Sequence, residues 1–574
     1  MAAGLVPDNG GLSSAMTPER WAVWGLGGLA VSAFIIGFYG PILHFLAGHD
    51  PLNPGTPALS WGILREVFSD SWILGILGFS LFQAFLSAVL SILVALPGAW
   101  VLAHYDFPGR RWFEHLTFLP FLLPTILVVL AMVLFFGNRG WLNQALGWLG
   151  FPQIQFLYSL SGILIAHVFY NVPLALKLIS ASWTRLSGQY EQAAQMLGAN
   201  AWRRFRTLLL PLLLSSITSS FAAIFLLCLN SFAILLVLGG GPKHTTLEVL
   251  IYQLARIELD IPRAASLSLL QSVLAITLLS LLLQLRPPAP KQRPAVLRNL
   301  GAELQGKRPE AWFALAVLLA LTTFALGPLL AVLVDSVRVF RHGQWHFSFQ
   351  AYLDLFGFRG NTRFLGSLQN SFGIALGGAA LAMTLGCGTL LLILNSSKRT
   401  RPLLEGAFLL PVALSTVVFG IAWFHLYQRI LDGQVALVWV VVAMHGLLVC
   451  PYWLRIMLPA AEAVPRQWLQ VSRLLGHTTG TFLRRVLLPW LRPSLATAFF
   501  FAFTLSLGEL NAILMIADDT VQTLPLEIYS ALGGYRFARA SAIGVVLLLA
   551  SLFLLVLLNL GSQSSLLNPS KKRS

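Results

Sequence analysis

Cysteine and charged residues are both scarce in this 574-residue sequence. The three cysteines, Cys228, Cys387 and Cys450, all lie in apolar runs, which argues against a disulfide framework and a cysteine-rich metal site. Only 10% of the residues are charged, whereas 57% are hydrophobic. This composition excludes an ordinary soluble globular protein and predicts a chain that crosses a membrane many times.

Acidic residues are the scarcer of the two charged classes. There are 22 Asp and Glu against 38 Lys and Arg, which gives a formal net charge of +16. Nearly all of this excess falls on one side of the membrane if both termini and a central polar linker share that side. The positive-inside rule makes that side cytoplasmic. The basic excess therefore indicates orientation and contact with anionic lipid, and no nucleic-acid partner is expected.

Long apolar runs dominate the rest of the sequence. Twelve of them have about 20 residues or more, the length that spans a bilayer. They are predicted at 21–47, 72–104, 113–137, 157–183, 208–238, 264–285, 312–336, 364–395, 403–428, 435–459, 486–517 and 540–560. The fold class is therefore all-α and polytopic.

A polar stretch rich in proline and basic residues separates the sixth run from the seventh and is predicted to be a linker. The N-terminal tail has no basic region followed by a short apolar core and a cleavage site, so no signal peptide is expected. The predicted order is a cytoplasmic tail, a first half, a cytoplasmic linker, a second half and a basic tail, at 1–20, 21–285, 286–311, 312–562 and 563–574.

A polar loop after the fourth run carries a pattern that recurs after the tenth run. In the first copy an amphipathic helix precedes Gly198, and a basic segment then leads to Pro211. In the second copy Gly476 and Pro489 take the same places at the same interval. Glycine is favoured where a helix ends in a left-handed residue. Each glycine is therefore predicted to terminate a short helix.

The repeat extends beyond these loops. Several paired residues differ by 278 positions, namely His167 and His445, Pro173 and Pro451, Lys177 and Arg455, Gly198 and Gly476, and Pro211 and Pro489. Duplication of a six-helix unit explains the constant offset. It also predicts one topology for both halves, because six crossings return the chain to its starting side.

The first loop resembles the cytoplasmic loop of bacterial ABC-importer permeases. The match is carried by Glu191, Ala193 and Ala194, followed after three residues by Gly198, then by basic residues and Pro211. In that family the loop forms a coupling helix that docks in a groove of the ATP-hydrolysing subunit. A helix that merely lies on the bilayer would need no fixed glycine and proline.

The second loop departs from the family pattern, since Leu469 replaces the glutamate, and Val471 and Ser472 replace the alanines. The resemblance nevertheless implies ATPase-docking residues in both copies. They are Tyr190, Glu191, Ala193, Ala194, Gly198, Ala199, Trp468, Gln470, Val471, Ser472, Gly476 and His477.

The same resemblance implies the fold and the partners. The fold is that of a type I importer permease, with about twelve membrane helices as two six-helix repeats in the inner membrane of a bacterium. Two copies of an ATPase subunit would bind ATP and magnesium, and an extracytoplasmic binding protein would deliver the substrate. This chain would have no catalytic residue and no cofactor of its own. A stretch with phosphate-loop spacing, 301–308, ends in Arg308 where Ser or Thr would bind magnesium, so it is interpreted as a chance match.

Polar residues inside the spans are the candidates for the translocation path. Glu509 and Asn511 lie in the last span before the final one, and the repeat pairs this region with Asn230 and Ser231. A carboxylate at the centre of a membrane helix costs about 2.5–3.5 kcal/mol on insertion scales, so it faces a cavity or a partner. Two interpretations remain open for Glu509: a contact in the path, or a hydrogen bond between packed helices.

His167 and His445 are interpreted as structural residues, since two histidines without nearby carboxylates do not make a metal site. Pro173 and Pro451 are predicted to kink the fourth helices.

Apolar segments indicate a substrate within the resembling family. The segments 79–87, 140–142 and 166–173 resemble the thiamine branch of the fused two-half permeases, so thiamine or its phosphates is the leading substrate. Ferric iron, carried by a related branch, is the alternative. An ion-coupled secondary transporter is an alternative of a different class, because it can also have two six-helix halves.

Overall fold

The computed structural model describes residues 18–48, 57–186, 194–284, 297–341, 344–357, 363–431, 434–518 and 520–563. Helices make up most of this part of the chain. Ten of them are long and apolar enough to cross a membrane, and a bent pair makes an eleventh. The final helix is apolar over the shorter stretch Phe537–Phe553. The predicted all-α, many-span fold is confirmed.

The first half contains twelve α-helices among the described residues. They are α1 Pro18–Ala47, α2 Trp61–Ser69, α3 Ser71–His104, α4 Arg110–Leu122, α5 Thr125–Phe136, α6 Trp141–Trp148, α7 Leu160–Leu186, α8 Ala201–Arg204, α9 Leu210–Leu229, α10 Ala233–Leu238, α11 Leu247–Tyr252 and α12 Ile261–Gln284.

The described end of the linker and the second half supply the remaining helices. They are α13 Leu300–Gln305, α14 Pro309–Asp335, α15 Gln350–Leu355, α16 Arg363–Asn395, α17 Arg401–Leu409, α18 Thr416–Leu426, α19 Leu437–Glu462, α20 Arg466–Leu474, α21 Thr479–Phe482, α22 Leu488–Leu507, α23 Asn511–Ile516, α24 Leu524–Gly533 and α25 Phe537–Gln563. Two short strand pairs accompany them: β1 Tyr105–Asp106 with β2 Arg298–Asn299, and β3 Arg338–Arg341 with β4 Gln344–Phe347.

The third span of each half is broken, although the sequence predicts continuous helices. Leu123 and Pro124 separate α4 from α5, and in the second half the chain bends by 92° between α17 and α18. Pro124 and Pro411 lie at these breaks, and a proline has no amide proton for the helical ladder. Ser415 then begins α18, because its side chain accepts the amide proton of Val418 at 3.1 Å.

The fifth spans are broken as well, which the sequence also does not predict. Residues 230–232 separate α9 from α10, and residues 508–510 separate α22 from α23. The sequences at the breaks are Asn-Ser-Phe and Gly-Glu-Leu. Asn, Ser and Gly favour helix ends over helix interiors, so two short polar sequences interrupt otherwise apolar helices.

The first helix of each half packs with the other half of the sequence. The chain forms two compact units; one contains α1 with residues 355–527, and the other contains α14 within residues 60–354. Phe34 of α1 stacks on Phe408 with ring centroids 4.0 Å apart, and Phe324 of α14 lies 5.7 Å from Phe169. The two packing units therefore differ from the two sequence repeats.

The end of the linker packs against the end of α3. Strand β2 pairs in parallel with β1, and the Arg298 guanidinium lies 5.1 Å from the centre of the Tyr105 ring. Asn299 caps α13 by accepting the amide proton of Ala302 at 3.1 Å, and Leu300 is buried. Gly301 belongs to this helix, so the stretch with phosphate-loop spacing forms a helix and a turn.

Candidate functional site

The first docking loop is described from Ala194 onward, so Tyr190, Glu191 and Ala193 lie outside the described residues. Helical geometry ends before Gly198, whose φ is +76°. The Gly198 amide donates to the Gln195 carbonyl at 3.0 Å, and the Ala199 amide donates to the Ala194 carbonyl at 3.0 Å. These two bonds define a Schellman helix end.

The second loop ends its helix in the same manner. α20 stops at Leu474, Gly476 has a φ of +75°, and the His477 amide donates to the Ser472 carbonyl at 3.1 Å. A β-carbon on either Gly198 or Gly476 would meet no atom within 4 Å. The predicted left-handed conformation is confirmed in both copies. Glycine is required at these positions by the backbone conformation and not by crowding from neighbouring atoms.

Both loops expose apolar side chains. Met196 and Leu197 are 88% and 87% exposed in the first loop, and Leu474 and Leu475 are 87% and 69% exposed in the second. Isolated exposed leucines are ordinary, but a cluster at the tip of a polar loop is typical of an interaction surface. Sequence analysis missed Met196 and Leu474, whose exposure depends on the turn that follows.

Not every predicted docking residue faces outward. Ser472 is buried, and Trp468 packs edge-to-face on Trp490 with centroids 4.9 Å apart. Trp468 also packs against buried Phe482. Gln470, Val471 and His477 are exposed, whereas Ala199 is half-buried. The second loop thus has a small core beneath its exposed surface.

The predicted path residues lie at the breaks in the fifth spans. In the first half, the hydroxyl of Ser231 lies 3.0 Å from Nε2 of His167, and the hydroxyl of Ser87 lies 2.9 Å from Nδ1 of the same ring. The Gln271 amide donates to the Oδ1 of Asn230 at 3.4 Å and to the fully buried carboxylate of Glu248 at 2.7 Å. This break therefore lies in a polar network.

The second-half break is organised differently. The carboxylate of Glu509 accepts the amide proton of Ala512 at 3.0 Å, at the beginning of α23. Asn511 donates to the hydroxyl of Thr416 at 3.1 Å. His445 Nδ1 lies 2.8 Å from the hydroxyl of Ser506. Glu509 is half-buried, and the backbone of Asn511 also forms a hydrogen bond with its carboxylate.

Sequence analysis missed Glu248 and Gln271 as members of the polar network. The sequence feature that could have identified this network is a carboxylate within the apolar stretch 247–252. A similar stretch with a carboxylate recurs in the second half at 524–529. Both histidines of the fourth spans make hydrogen bonds, as the structural interpretation requires. Among the described residues no group of three or more His, Cys, Asp or Glu is placed to hold a metal ion.

Comparisons with known proteins match both halves of the chain to one family model. Residues 88–285 and 378–564 each match the model described as "Binding-protein-dependent transport system inner membrane component". The predicted duplication is therefore confirmed. A crystal structure of a bacterial alginate ABC transporter aligns with 47% of this chain and 96% of its own, at 16% identity and a TM-score of 0.40.

Curated relatives match along most of the chain. The thiamine transport system permease protein of Haemophilus influenzae is 31% identical over 93% of this chain and 95% of its own length. The protein of the same name from Escherichia coli is 31% identical over 86% and 90%. A probable sulfate transport system permease protein of Marchantia polymorpha is 29% identical over 34% and 68%. The iron alternative gains no support from these relatives.

Proposed function

Since the chain belongs to the family of binding-protein-dependent transport system inner-membrane components, we propose that it carries thiamine or its phosphates across the membrane. Members of this family are transport subunits and not enzymes, and this chain is a multi-pass membrane protein. The observation that carries the proposal is the likeness to thiamine permeases, which extends through both halves at about 30% identity. A shared fold alone would leave the substrate open.

The two glycine-terminated loops are proposed to bind two copies of an ATPase subunit. Their exposed apolar side chains, Met196 and Leu197 in one loop and Leu474 and Leu475 in the other, offer a surface that a partner would cover. ATP and magnesium would be bound on that partner. Movement of the ATPase pair would then pass through both loops into the membrane helices.

An extracytoplasmic binding protein is proposed to deliver the substrate at the opposite side. Alternating access would follow, with Asn230, Ser231, Glu509 and Asn511 at the path. All thiamine forms contain a positively charged thiazolium ring, and a carboxylate is the side chain that best stabilises such a charge away from water. Glu509 is the partly exposed carboxylate at a break in a span, so it is the proposed contact for the ring.

Uptake by proteoliposomes that contain the chain, its ATPase and its binding protein tests this function. We expect ATP-dependent accumulation of labelled thiamine, and no accumulation without the ATPase. Accumulation of ferric iron instead, or uptake that an ion gradient drives without ATP, would refute the substrate or the transport class respectively. A thiamine phosphate competing with the labelled substrate would extend the specificity to the phosphates.

A further inference from the structure

A buried network in the first half joins α11 and α12 to the break in the fifth span. The amide nitrogen of Gln271, on α12, lies 2.7 Å from the carboxylate of Glu248 on α11 and 3.4 Å from Oδ1 of Asn230 at the break. Glu248 and Gln271 are both buried. Burial removes the hydrogen bonds that water would supply, so polar groups here depend on each other. The side chain of Gln271 is thus held between a buried carboxylate and a predicted path residue.

One atom of this network has no protein partner. The Oε1 of Gln271 is buried and accepts no hydrogen bond among the described residues. A carboxamide has two protons on its nitrogen and two acceptor sites on its oxygen. Here Glu248 accepts one proton at 2.7 Å, and the second reaches Asn230 only at 3.4 Å. Gln271 therefore offers an unused acceptor with a weakly held donor beside it.

The second half has no polar side chain at any of the three equivalent positions. Matching helices begin at nearly constant offsets, which are 278 residues from α9 to α22 and from α10 to α23, 277 from α11 to α24, and 276 from α12 to α25. At these offsets the equivalents are Gly508 for Asn230, Pro525 for Glu248 and Leu547 for Gln271. Three residues that are bonded to one another are thus replaced together. This indicates one role that only the first half performs.

The burial of a carboxylate does not by itself explain the network. In the second half the carboxylate of Glu527, on α24, accepts a proton from the Ser367 hydroxyl of α16 at 2.7 Å. A carboxylate on this helix can therefore be bound by the second span of its own half. The extension from Glu248 through Gln271 to Asn230 needs a further reason, and its end at the break in the fifth span supplies one.

We propose that Gln271 recognises the aminopyrimidine ring of the substrate and that Glu248 is the positioning residue that fixes its carboxamide. The inference rests on the proposed function for the identity of the substrate. Besides its thiazolium, thiamine has a pyrimidine ring with an amino group next to a ring nitrogen. That edge places a donor beside an acceptor, and a carboxamide matches it with two hydrogen bonds, as glutamine does with adenine.

The two bonds of the Gln271 nitrogen have different parts in this recognition. The bond to Asn230 is the longer one, so we expect it to open when a ligand binds at the break. The proton then turns to the ring nitrogen, while the amino group donates to Oε1. The shorter bond to Glu248 keeps the carboxamide from rotating. Glu248 thereby acts through Gln271 and not by contact with the ligand.

Uptake of two substrates by the reconstituted transporter tests the pairing. Thiamine is compared with oxythiamine, in which a carbonyl oxygen replaces the amino group, and kcat/KM is measured for each. The same binding protein delivers both substrates in every assay, so a change in their ratio between variant and wild type reports on this chain. We expect Gln271→Leu, which copies Leu547, to lower the preference for thiamine about tenfold, as for loss of a buried hydrogen bond.

The variants of Glu248 test its positioning role. Glu248→Leu should lower the preference for thiamine as Gln271→Leu does, because the carboxamide can then rotate. Glu248→Gln, whose amide oxygen still accepts a proton from Gln271, should retain most of the preference. Equal loss in both variants would contradict the positioning role and point to the charge of Glu248 instead.

The second half supplies the matched control. Ser367→Ala removes a hydrogen bond to the carboxylate of Glu527, so it should leave the preference for thiamine unchanged. An unchanged preference in Gln271→Leu would overturn the inference, as would an equal loss in Ser367→Ala. Gln271→Met, which nearly keeps the shape of glutamine, takes the place of Gln271→Leu if the latter does not assemble with the ATPase. A wild type that carries no thiamine would refute the proposed substrate and this inference together, whereas thiamine uptake with an unchanged preference refutes the inference alone.

Discussion

At Gly198 and Gly476 the backbone has φ values of +76° and +75°, which L-residues with a β-carbon adopt at a cost of about 1–2 kcal/mol. Nothing crowds either position, so an added side chain would act through the backbone and through the surface it presents. We expect Gly198→Asp and Gly476→Asp each to uncouple ATP hydrolysis from uptake, with the protein still in the membrane. The measurement is substrate-stimulated ATPase activity together with uptake.

Two further variants make that prediction sharper. Glu191→Leu should impair coupling less than Gly198→Asp, because the second loop naturally has Leu469 at the equivalent position. Gly150 also has a positive φ, +76°, with open space around it, but it follows α6 outside the docking loops. Gly150→Asp should therefore leave coupling intact. Normal coupling in both docking-loop variants would remove the basis for an ATPase contact at these loops.

The conformation of a residue was predictable where its cause lies in the neighbouring sequence. The left-handed glycines follow from a helix, a stop and a basic segment, all within about a dozen residues of each other. A carboxylate in an apolar stretch marks Glu248 as needing a polar partner, but the identity of that partner, Gln271, was not predictable because it lies on a different helix and meets Glu248 only through packing. The unequal bonding of His167 and His445 was equally hidden, since their serine partners lie on other helices and meet them only through packing.

Among the helices, the short α13 has a structural role that its linker position did not suggest. Leu300 is buried in one core cluster with Tyr105 and Trp183, and that cluster also contains Leu186 and Leu209 on either side of the first docking loop. Trp183 stacks in turn on Phe205 with centroids 6.1 Å apart. The end of the linker therefore supports the helices from which the first docking loop projects.

Leu300→Ala tests this support. Removing a buried leucine side chain costs about 2–5 kcal/mol where the site cannot collapse, so α13 should detach and the first loop should lose rigidity. We expect faster hydrogen exchange in residues 194–204 and weaker coupling, with residues 466–476 of the second loop unchanged. Gln305→Ala, at an exposed position of the same helix, is the control. Equal exchange in both variants would contradict the supporting role.

Helix existence was predictable from apolar length, but helix continuity was not. All twelve predicted runs contain helix, yet the third and fifth spans of each half are broken. Prolines mark the breaks of the third spans, and the sequence contains many other span prolines, such as Pro173 and Pro451, that lie within continuous helices. Whether a proline interrupts a helix depends on the neighbours that satisfy the freed carbonyl, which sequence alone does not specify.

For the whole molecule, the distribution of Lys and Arg predicts that the linker and both termini are cytoplasmic. Gln305 in α13 and Lys243 after α10 are both exposed and fall on opposite sides in this topology. In a background without Cys228, Cys387 and Cys450, Gln305→Cys should react with an impermeant thiol reagent only after the membrane is opened. Lys243→Cys should react in intact cells. The reverse pattern, or external labelling at both sites, would contradict the topology.

The first helix of each half packs in the unit formed mainly by the other half, and this affects how the chain folds during synthesis. α1 leaves the ribosome early, but its partners α16 and α18 come more than 300 residues later in the sequence. The other unit is completed by residues 528–545, and a β-carbon on Gly544 would lie only 2.9 Å from Leu127. Neither unit can therefore finish folding during synthesis of its own half. A chain truncated in the second half would leave both units incomplete. Membrane proteases that remove unfolded proteins would therefore act on the whole truncated chain and spare neither unit.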